Sequence, residues 1–282
     1  MSEILNGLPV ASAISSELAV RACQLKERGI DPCLAILRVG DRVDDLAYEQ
    51  AAIRRCNQIG ISVRQLVLPE QVTQAELLKT IAEINESPAI HACLMFRPLP
   101  ASLDDEAACA ALDPLKDIDG VTPASRSKVF SGSGIGYAPC TAESCMELLK
   151  YYGVEVSGRR IAVAGRSLVI GRPIAMLLTA ADATVTLCHS KTRRLQEITG
   201  EADIVVLAVG KAESFGPEYF RPGQTVLDVG INWSAAKEQL VGDADFDRVM
   251  PLVSAITPVP SGIGAVTAAV LCKHVIEAAE SV

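Results

Sequence analysis

The stretch Ile161–Pro173, IAVAGRSLVIGRP, decides how the chain is read. An apolar run ends at Gly165, and a second glycine, Gly171, stands just ahead of Arg172-Pro173. A buried strand, a tight glycine turn and a helix with proline in its first turn account for that pattern. Gly165 suits a sharp backbone reversal. Gly171 permits close approach beside a helix N-terminus, whose free N–H groups attract a pyrophosphate. The spacing is longer than G-x-G-x-x-G, so the segment alone is equally a strand–helix turn with structural glycines. The end of the next strand narrows the choice. It reads Leu187-Cys188-His189-Ser190-Lys191-Thr192, without the carboxylate that NAD-binding versions place on the ribose hydroxyls. Arg166, Ser190 and Lys191 suit a 2′-phosphate and so favour NADP, unless Arg166 and Lys191 are only solvated surface charges.

Working outward, short apolar runs alternate with helical spacing almost throughout. Upstream, the pattern predicts helices over 10–28, 44–59, 73–85 and 104–112, and strands over 33–39, 61–68 and 91–96. The segment 116–140 is polar and glycine-rich, a natural boundary that includes a flexible loop at 131–136. Beyond it the rhythm restarts, with helices over 141–152 and 172–180, strands over 160–164, 183–188, 204–209 and 225–229, and a last helix from Ala265 to Glu280. The expected fold is α/β: two α/β domains with a cleft between them, the second a Rossmann-type parallel sheet. Residues 1–138 plus 265–282 form the first domain in this reading, and 139–264 the second.

Composition narrows the class. The 282 residues carry 26 Lys and Arg against 34 Asp and Glu, a net charge of −8, with 49% hydrophobic and 4% aromatic residues. The apolar fraction supports a real core and excludes a disordered or fibrous chain. The acidic balance argues against nucleic acid, since no basic excess exists to neutralise phosphates. Nine cysteines without a C-x-x-C pair lie mostly in apolar runs, the pattern of buried reduced thiols in a cytoplasmic protein. The scattered His91, His189 and His274 suggest no metal site, and no secretory signal or membrane span is expected. His189 with Ser190 makes no catalytic pair, because neighbours on a strand face opposite ways. Asp104-Asp105-Glu106 reads as a helix N-terminus.

A series of motifs then occurs in order: Tyr48 on an early helix, Arg97-Pro98-Leu99-Pro100, Lys116-Asp-Ile-Asp119-Gly, Pro139-Cys-Thr141, the Gly165–Pro173 segment, Cys188–Thr192, Asp228-Val-Gly-Ile-Asn232 and Thr257-Pro-Val-Pro260-Ser-Gly-Ile-Gly264. The set resembles the methylenetetrahydrofolate dehydrogenase/cyclohydrolase (FolD-type) family over essentially the whole chain. That resemblance implies an enzyme, usually a homodimer, that oxidises 5,10-methylenetetrahydrofolate with NADP, and often hydrolyses the methenyl product. By motif position, Gly165, Arg166, Ser167, Ser190 and Ile231 would touch the dinucleotide, with Gly171 beside it. Tyr48 would stack on the folate and Asp119 would bind its pterin edge, as catalytic residues. Arg97, Pro98, Pro260, Gly262 and Gly264 would line the substrate cleft.

The chain departs from that pattern where proton chemistry is expected. The family's helix carries Tyr, three residues, then Lys, placing both on one face; here the lysine position holds Ala52. A Gln that bonds that lysine is replaced by Phe96, and Arg97 follows where Leu is usual. Gly-Gly becomes Ser261-Gly262, Pro-Met-Thr becomes Ala265-Val-Thr267, and Pro139-Cys-Thr141-Ala142 lacks its second proline. Hydride transfer needs positioning and no obligatory protein proton transfer, whereas hydrolysis of the methenyl ion needs an activated water. The expectation is an NADP-dependent dehydrogenase with the cyclohydrolase step weak or absent. Two alternatives stand beside it: an intact bifunctional enzyme in which Tyr48 or Asp119 replaces the lysine, and a divergent member with changed substrate or only a binding function. Arg55 reads as an exposed helical charge, and Arg97 as a cleft residue needing a partner, for example Asp119.

Overall fold

The computed structural model describes residues 2–282. In chain order the elements are β1 (Glu3–Ile4), α1 (Gly7–Glu27), β2 (Cys33–Val39), α2 (Val43–Ile59), β3 (Ser62–Leu68), α3 (Gln74–Glu86), β4 (Ala92–Met95), α4 (Asp105–Ala111), α5 (Pro123–Ser131) and α6 (Cys140–Tyr151). They continue as β5 (Arg160–Ala164), α7 (Gly171–Ala180), β6 (Thr184–Cys188), α8 (Leu195–Glu201), β7 (Ile204–Leu207), β8 (Thr225–Asp228), β9 (Asn232–Ser234), β10 (Gln239–Val241), α9 (Phe246–Val249), β11 (Ala255–Ile256) and α10 (Ile263–Glu280). Two compact units result. One joins the N-terminal residues through Ala11 to Thr141–Thr267, and the other joins Ser12–Cys140 to Ala268–Val282.

The unit built on Ser12–Cys140 holds a parallel sheet of order β3-β2-β4. Every residue of β2 is buried, as a continuous apolar run in the middle strand of a covered parallel sheet should be. Local chemistry sets its helix ends. Thr73 and Glu76 form a reciprocal capping box at the start of α3, and Asp104 accepts the Ala107 N–H to cap α4. Leu37, Leu77, Ile81, Met95 and Cys109 meet in one buried core. The other unit carries a six-stranded sheet, β1-β11-β8-β7-β5-β6, parallel at every pairing. Strand order reverses at β5, which makes the carboxyl ends of β5 and β7 the topological switch point where such sheets bind ligands.

Four differences from the sequence reading have physical causes. Residues 2–11 group with Thr141–Thr267 and not with the first unit: β1 pairs in parallel with β11, Glu3 opposite Ala255 and Ile4 opposite Ile256, which ties them to the six-stranded sheet. The segment 116–140 contains α5, whose weak apolar periodicity hid it. Its local signals are Thr122, whose hydroxyl accepts the Ser125 N–H, Pro123 in the first turn, and Gly132 closing the helix. The hairpin β9–β10, too short for a period-two signal, was also not expected. His189 and Ser190 lie past the end of β6 in a turn, where the His189 N–H donates to Thr192 Oγ1 at 2.8 Å, so the alternation argument does not apply to them.

A buried ion pair joins β2 to α2. Arg38 Nε donates to Glu49 Oε2 at 3.0 Å, Gln65 Nε2 donates to Glu49 Oε1 at 3.0 Å, and Arg38 also reaches Asp41 and the Gly40 carbonyl. Glu49 is 1% exposed and Arg38 8%. Removing one partner of such a pair strands a charge, so Arg38→Met should destabilise the protein by about 3–5 kcal/mol. Urea unfolding measures that loss.

Candidate functional site

At the switch point the backbone geometry is that of a phosphate cradle. Gly165 has φ +128°, and a Cβ there would stand 2.2 Å from the Ala208 carbonyl oxygen. A Cβ on Gly171 would stand 2.1 Å from the Gly165 oxygen, so both positions exclude any side chain. Ser167 shapes the entrance to α7: its hydroxyl accepts N–H bonds from Ile170 at 3.1 Å and Gly171 at 3.4 Å, and its own proton stays available to an anion. Arg166, Ser167, Ser190 and Lys191 are all exposed, past the carboxyl ends of the neighbouring strands β5 and β6. The cradle and its donors fit a dinucleotide pyrophosphate, with cations and a hydroxyl beside it for a further phosphate.

Farther along the same sheet, a pocket of about 260 Å³ opens after β8, lined by Asp228, Gly230, Ile231, Leu240, Pro260 and Gly264 among others. The structure thus brings Ile231 together with Pro260, Gly262 and Gly264. Two buried carboxylates hold the pocket floor. Asp228 accepts N–H bonds from Gly230, Asp243 and Ala244, and burial still pushes its pKa up to about 7. Asp243 accepts from the N–H groups of Val209, Gly210 and Lys211 and from Asn232 Nδ2. Ser261 keeps a left-handed φ of +76°, the conformation natural to the glycine usual there, and a Cβ on Gly262 would stand 2.3 Å from the Pro258 carbonyl oxygen.

In the other unit Tyr48, Ala52 and Cys56 follow one another at four-residue spacing along α2. The Tyr48 ring meets Phe96 edge-on, with centroids 5.8 Å apart and planes at 78°. Burial holds the Tyr48 phenol well above its usual pKa, and the nearby Asp119 charge adds to the shift. Asp119 is partly exposed; burial raises its pKa, against the hydrogen bond from the Cys140 N–H. Ala52 is 1% exposed. Arg97 has a different partner from the one suggested: its Nε donates to both Asp105 oxygens at 3.0 and 2.9 Å, and Nη2 to Oδ2, while Asp119 acts on it only through charge. The eight-residue separation puts Asp105 in the first turn of α4, directly after the 97–100 turn. Arg55 donates to Ser15 Oγ at 3.2 Å, and Pro98 is exposed. Sequence reasoning missed His274, a buried residue of α10 whose Nδ1 lies 2.7 Å from the Ile118 carbonyl oxygen; a lone histidine in an apolar helix carries no local signal.

A glycine cradle at the switch point of a parallel sheet, with a tyrosine–aspartate pair in a second α/β unit, defines a two-domain α/β enzyme of the dinucleotide-dependent class. Residues 5–119 match the catalytic domain of tetrahydrofolate dehydrogenase/cyclohydrolase, and residues 139–282 match its NAD(P)-binding domain. The chain belongs to the tetrahydrofolate dehydrogenase/cyclohydrolase family. It is 46% identical to the bifunctional protein FolD of Carboxydothermus hydrogenoformans, over 99% of this chain and 98% of that one. It is similar to the crystal structure of the bifunctional FolD enzyme of Campylobacter jejuni, with TM-score 0.97 and 34% identity over 100% and 99% of the two chains. It also matches the Trypanosoma brucei dehydrogenase–cyclohydrolase, solved with NADP and an inhibitor, at TM-score 0.92 and 33% identity over 99% and 98%. Among the described residues no helix is long and apolar enough to cross a membrane, and no cluster of His, Cys, Asp and Glu is arranged to hold a metal.

The Arg97 bond depresses the Asp105 pKa below its ordinary 3.8. Its stabilising effect is therefore full above the ordinary value and lost as pH falls through the depressed one. Asp105→Asn should cost about 1 kcal/mol at pH 7. Denaturant titrations at neutral and strongly acid pH should show that difference closing in acid.

Proposed function

We propose that the protein is an NADP-dependent 5,10-methylenetetrahydrofolate dehydrogenase whose cyclohydrolase step is weak or absent. The observation that carries the reading is the buried methyl of Ala52 on the Tyr48 face of α2, beside a Tyr48 ring packed on Phe96 rather than on a polar group. Tyr48 stacks on the pteridine and holds it flat. Asp119 accepts hydrogen bonds from the amino and ring N–H groups of the pterin edge, and Pro260, Gly262 and Gly264 line the substrate's path. The Gly165–Gly171 cradle takes the pyrophosphate, Arg166, Ser190 and Lys191 take the 2′-phosphate, and Ile231 meets the nicotinamide end. NADP supplies the hydride acceptor. The folate nitrogen lone pair assists hydride departure, so the protein's share of that step is alignment and exclusion of water. Hydrolysis of the methenyl product needs a group that moves a proton on and off water, and neither Ala52 nor Phe96 does so. A homodimer in a reducing compartment completes the reading; the nine free cysteines, eight of them buried, fit such a compartment.

A second reading, an intact bifunctional enzyme, draws on the FolD relative at 46% identity and on the half-buried Tyr48 with its neighbour Asp119. The two readings part on one assay. Mixing the protein with methylenetetrahydrofolate and NADP should yield methenyl absorbance that decays no faster than in buffer. Hydrolysis well above the buffer rate supports the bifunctional reading instead, and no NADP reduction at all leaves a divergent member with a changed substrate or only a binding function. Ala52→Lys combined with Phe96→Gln should raise methenyl hydrolysis by about 10²–10⁴-fold, the usual worth of a placed acid–base group.

Cofactor choice is tested separately. Arg166→Ala should raise the KM for NADP by about 10–100-fold, the worth of one charge-assisted contact, and leave the weaker use of NAD nearly unchanged. Equal loss with both cofactors would remove the 2′-phosphate role.

A further inference from the structure

We propose that His274 is a positioning residue for Asp119, holding the peptide that carries this carboxylate in the orientation the folate edge requires. The inference rests on the functional reading above, which assigns Asp119 to the pterin. His274 is 1% exposed on α10, and its Nδ1 lies 2.7 Å from the carbonyl oxygen of Ile118, the residue directly before Asp119. A carbonyl only accepts, so the proton sits on Nδ1. The same Nδ1 is 3.7 Å from Cys140 Sγ, and that thiol also donates to the Ile118 carbonyl at 3.2 Å. The Cys140 N–H in turn donates to Asp119 Oδ1 at 3.4 Å. The Tyr137 ring lies over the imidazole, with centroids 4.9 Å apart and planes at 37°.

Two tethers of Asp119 therefore lie side by side. One is the peptide carbonyl before it, which accepts from His274 Nδ1 and from the Cys140 thiol, and the other is the Cys140 N–H, which donates to the carboxylate itself. Rotating the Ile118–Asp119 peptide would break both bonds its buried carbonyl accepts, from His274 Nδ1 and from the Cys140 thiol, and that cost keeps the carboxylate aimed. A histidine that merely filled the core would stabilise the fold without changing what Asp119 can bind.

The test is tetrahydrofolate binding by calorimetry to the full-length protein, with NADP binding as the control. His274→Asn places an amide N–H where Nδ1 stands, whereas His274→Leu fills similar space without a donor. Asparagine should keep the affinity for tetrahydrofolate within about twofold, and leucine should weaken it about fivefold or more, the effect of one lost buried hydrogen bond. NADP affinity should not change. In an Asp119→Asn background, His274→Leu should add less than about twofold, because its route to the ligand is already gone. Unchanged affinity in His274→Leu, or an equal loss in both backgrounds, overturns the proposal. Should the leucine variant fail to fold, nitrogen-15 spectra of the unsubstituted protein decide. A proton on the His274 Nδ1 whose resonance moves on adding tetrahydrofolate supports the role, and an Nε2–H tautomer or an unmoved resonance overturns it. Absence of tetrahydrofolate binding by the unsubstituted protein instead removes the functional reading, and this inference with it.

Discussion

Arg38 on β2 meets Glu49 on α2 where neither side chain has appreciable access to water, and that pair sets the rotation of α2. The neighbouring residue is Tyr48. A helix free to turn about its axis would carry the phenol away from Phe96 and Asp119, because residues four apart share a face only while the helix keeps one rotation. Gln65 of β3 binds the second Glu49 oxygen, so two strands of one sheet grip the same carboxylate. A buried ion pair is a poor source of net stability, yet it fixes geometry well, and here the geometry lies one residue from the proposed folate contact.

The polar residues of the same unit divide sharply between building and binding. In Lys116-Asp-Ile-Asp119, Lys116 donates to the carbonyls of Ile84, Asn85 and Ser87 at the end of α3. Asp117 accepts from the N–H groups of Val121 and Thr122 and from the Ser125 hydroxyl, starting α5. Asp119 is bonded within the site's own wall, where it accepts the Cys140 N–H, and it stays partly exposed. Lys128 donates to the Gly136 carbonyl, and Arg97 and Arg55 are held by Asp105 and Ser15. These cations are committed to the fold, so none of them is a ready replacement for an ammonium beside Tyr48.

What could be read from the chain follows the range of the interaction involved. Gly171 was legible because the contact it permits is local, with the Gly165 oxygen six residues earlier, whereas the Ala208 carbonyl that also requires Gly165 comes from a strand end the segment does not contain. Strands β5, β6, β7 and β8 appeared within a residue or two because each is a short run of mostly apolar or β-branched residues between breakers. Long-range partners were not legible. The bond from His274 to Ile118 spans 156 positions, and β1 joins a sheet whose other strands begin at residue 160. Arg97 shows the intermediate case. Its need for a counter-charge was plain from its flanks, but choosing Asp105 over Asp119 required knowing that the 97–100 turn leads straight into α4.

The substitutions at 52 and 96 make physical sense only together. A lysine at position 52 would stand almost wholly buried beside an aromatic pair, and a buried ammonium without an acceptor costs several kcal/mol. A glutamine at the buried position 96 would need a polar partner for its amide, which the methyl of Ala52 cannot be. Alanine with phenylalanine removes the charge and its acceptor at once, and the Tyr48–Phe96 contact takes over the packing. A flat aromatic and apolar wall suits stacking and alignment, which need no titrating group. Activating a water asks for a group that exchanges a proton, and the side chains of alanine and phenylalanine carry none. The proposed reading thus rests on one paired exchange of polar for apolar side chains, on a helix face whose position the Arg38–Glu49 pair fixes.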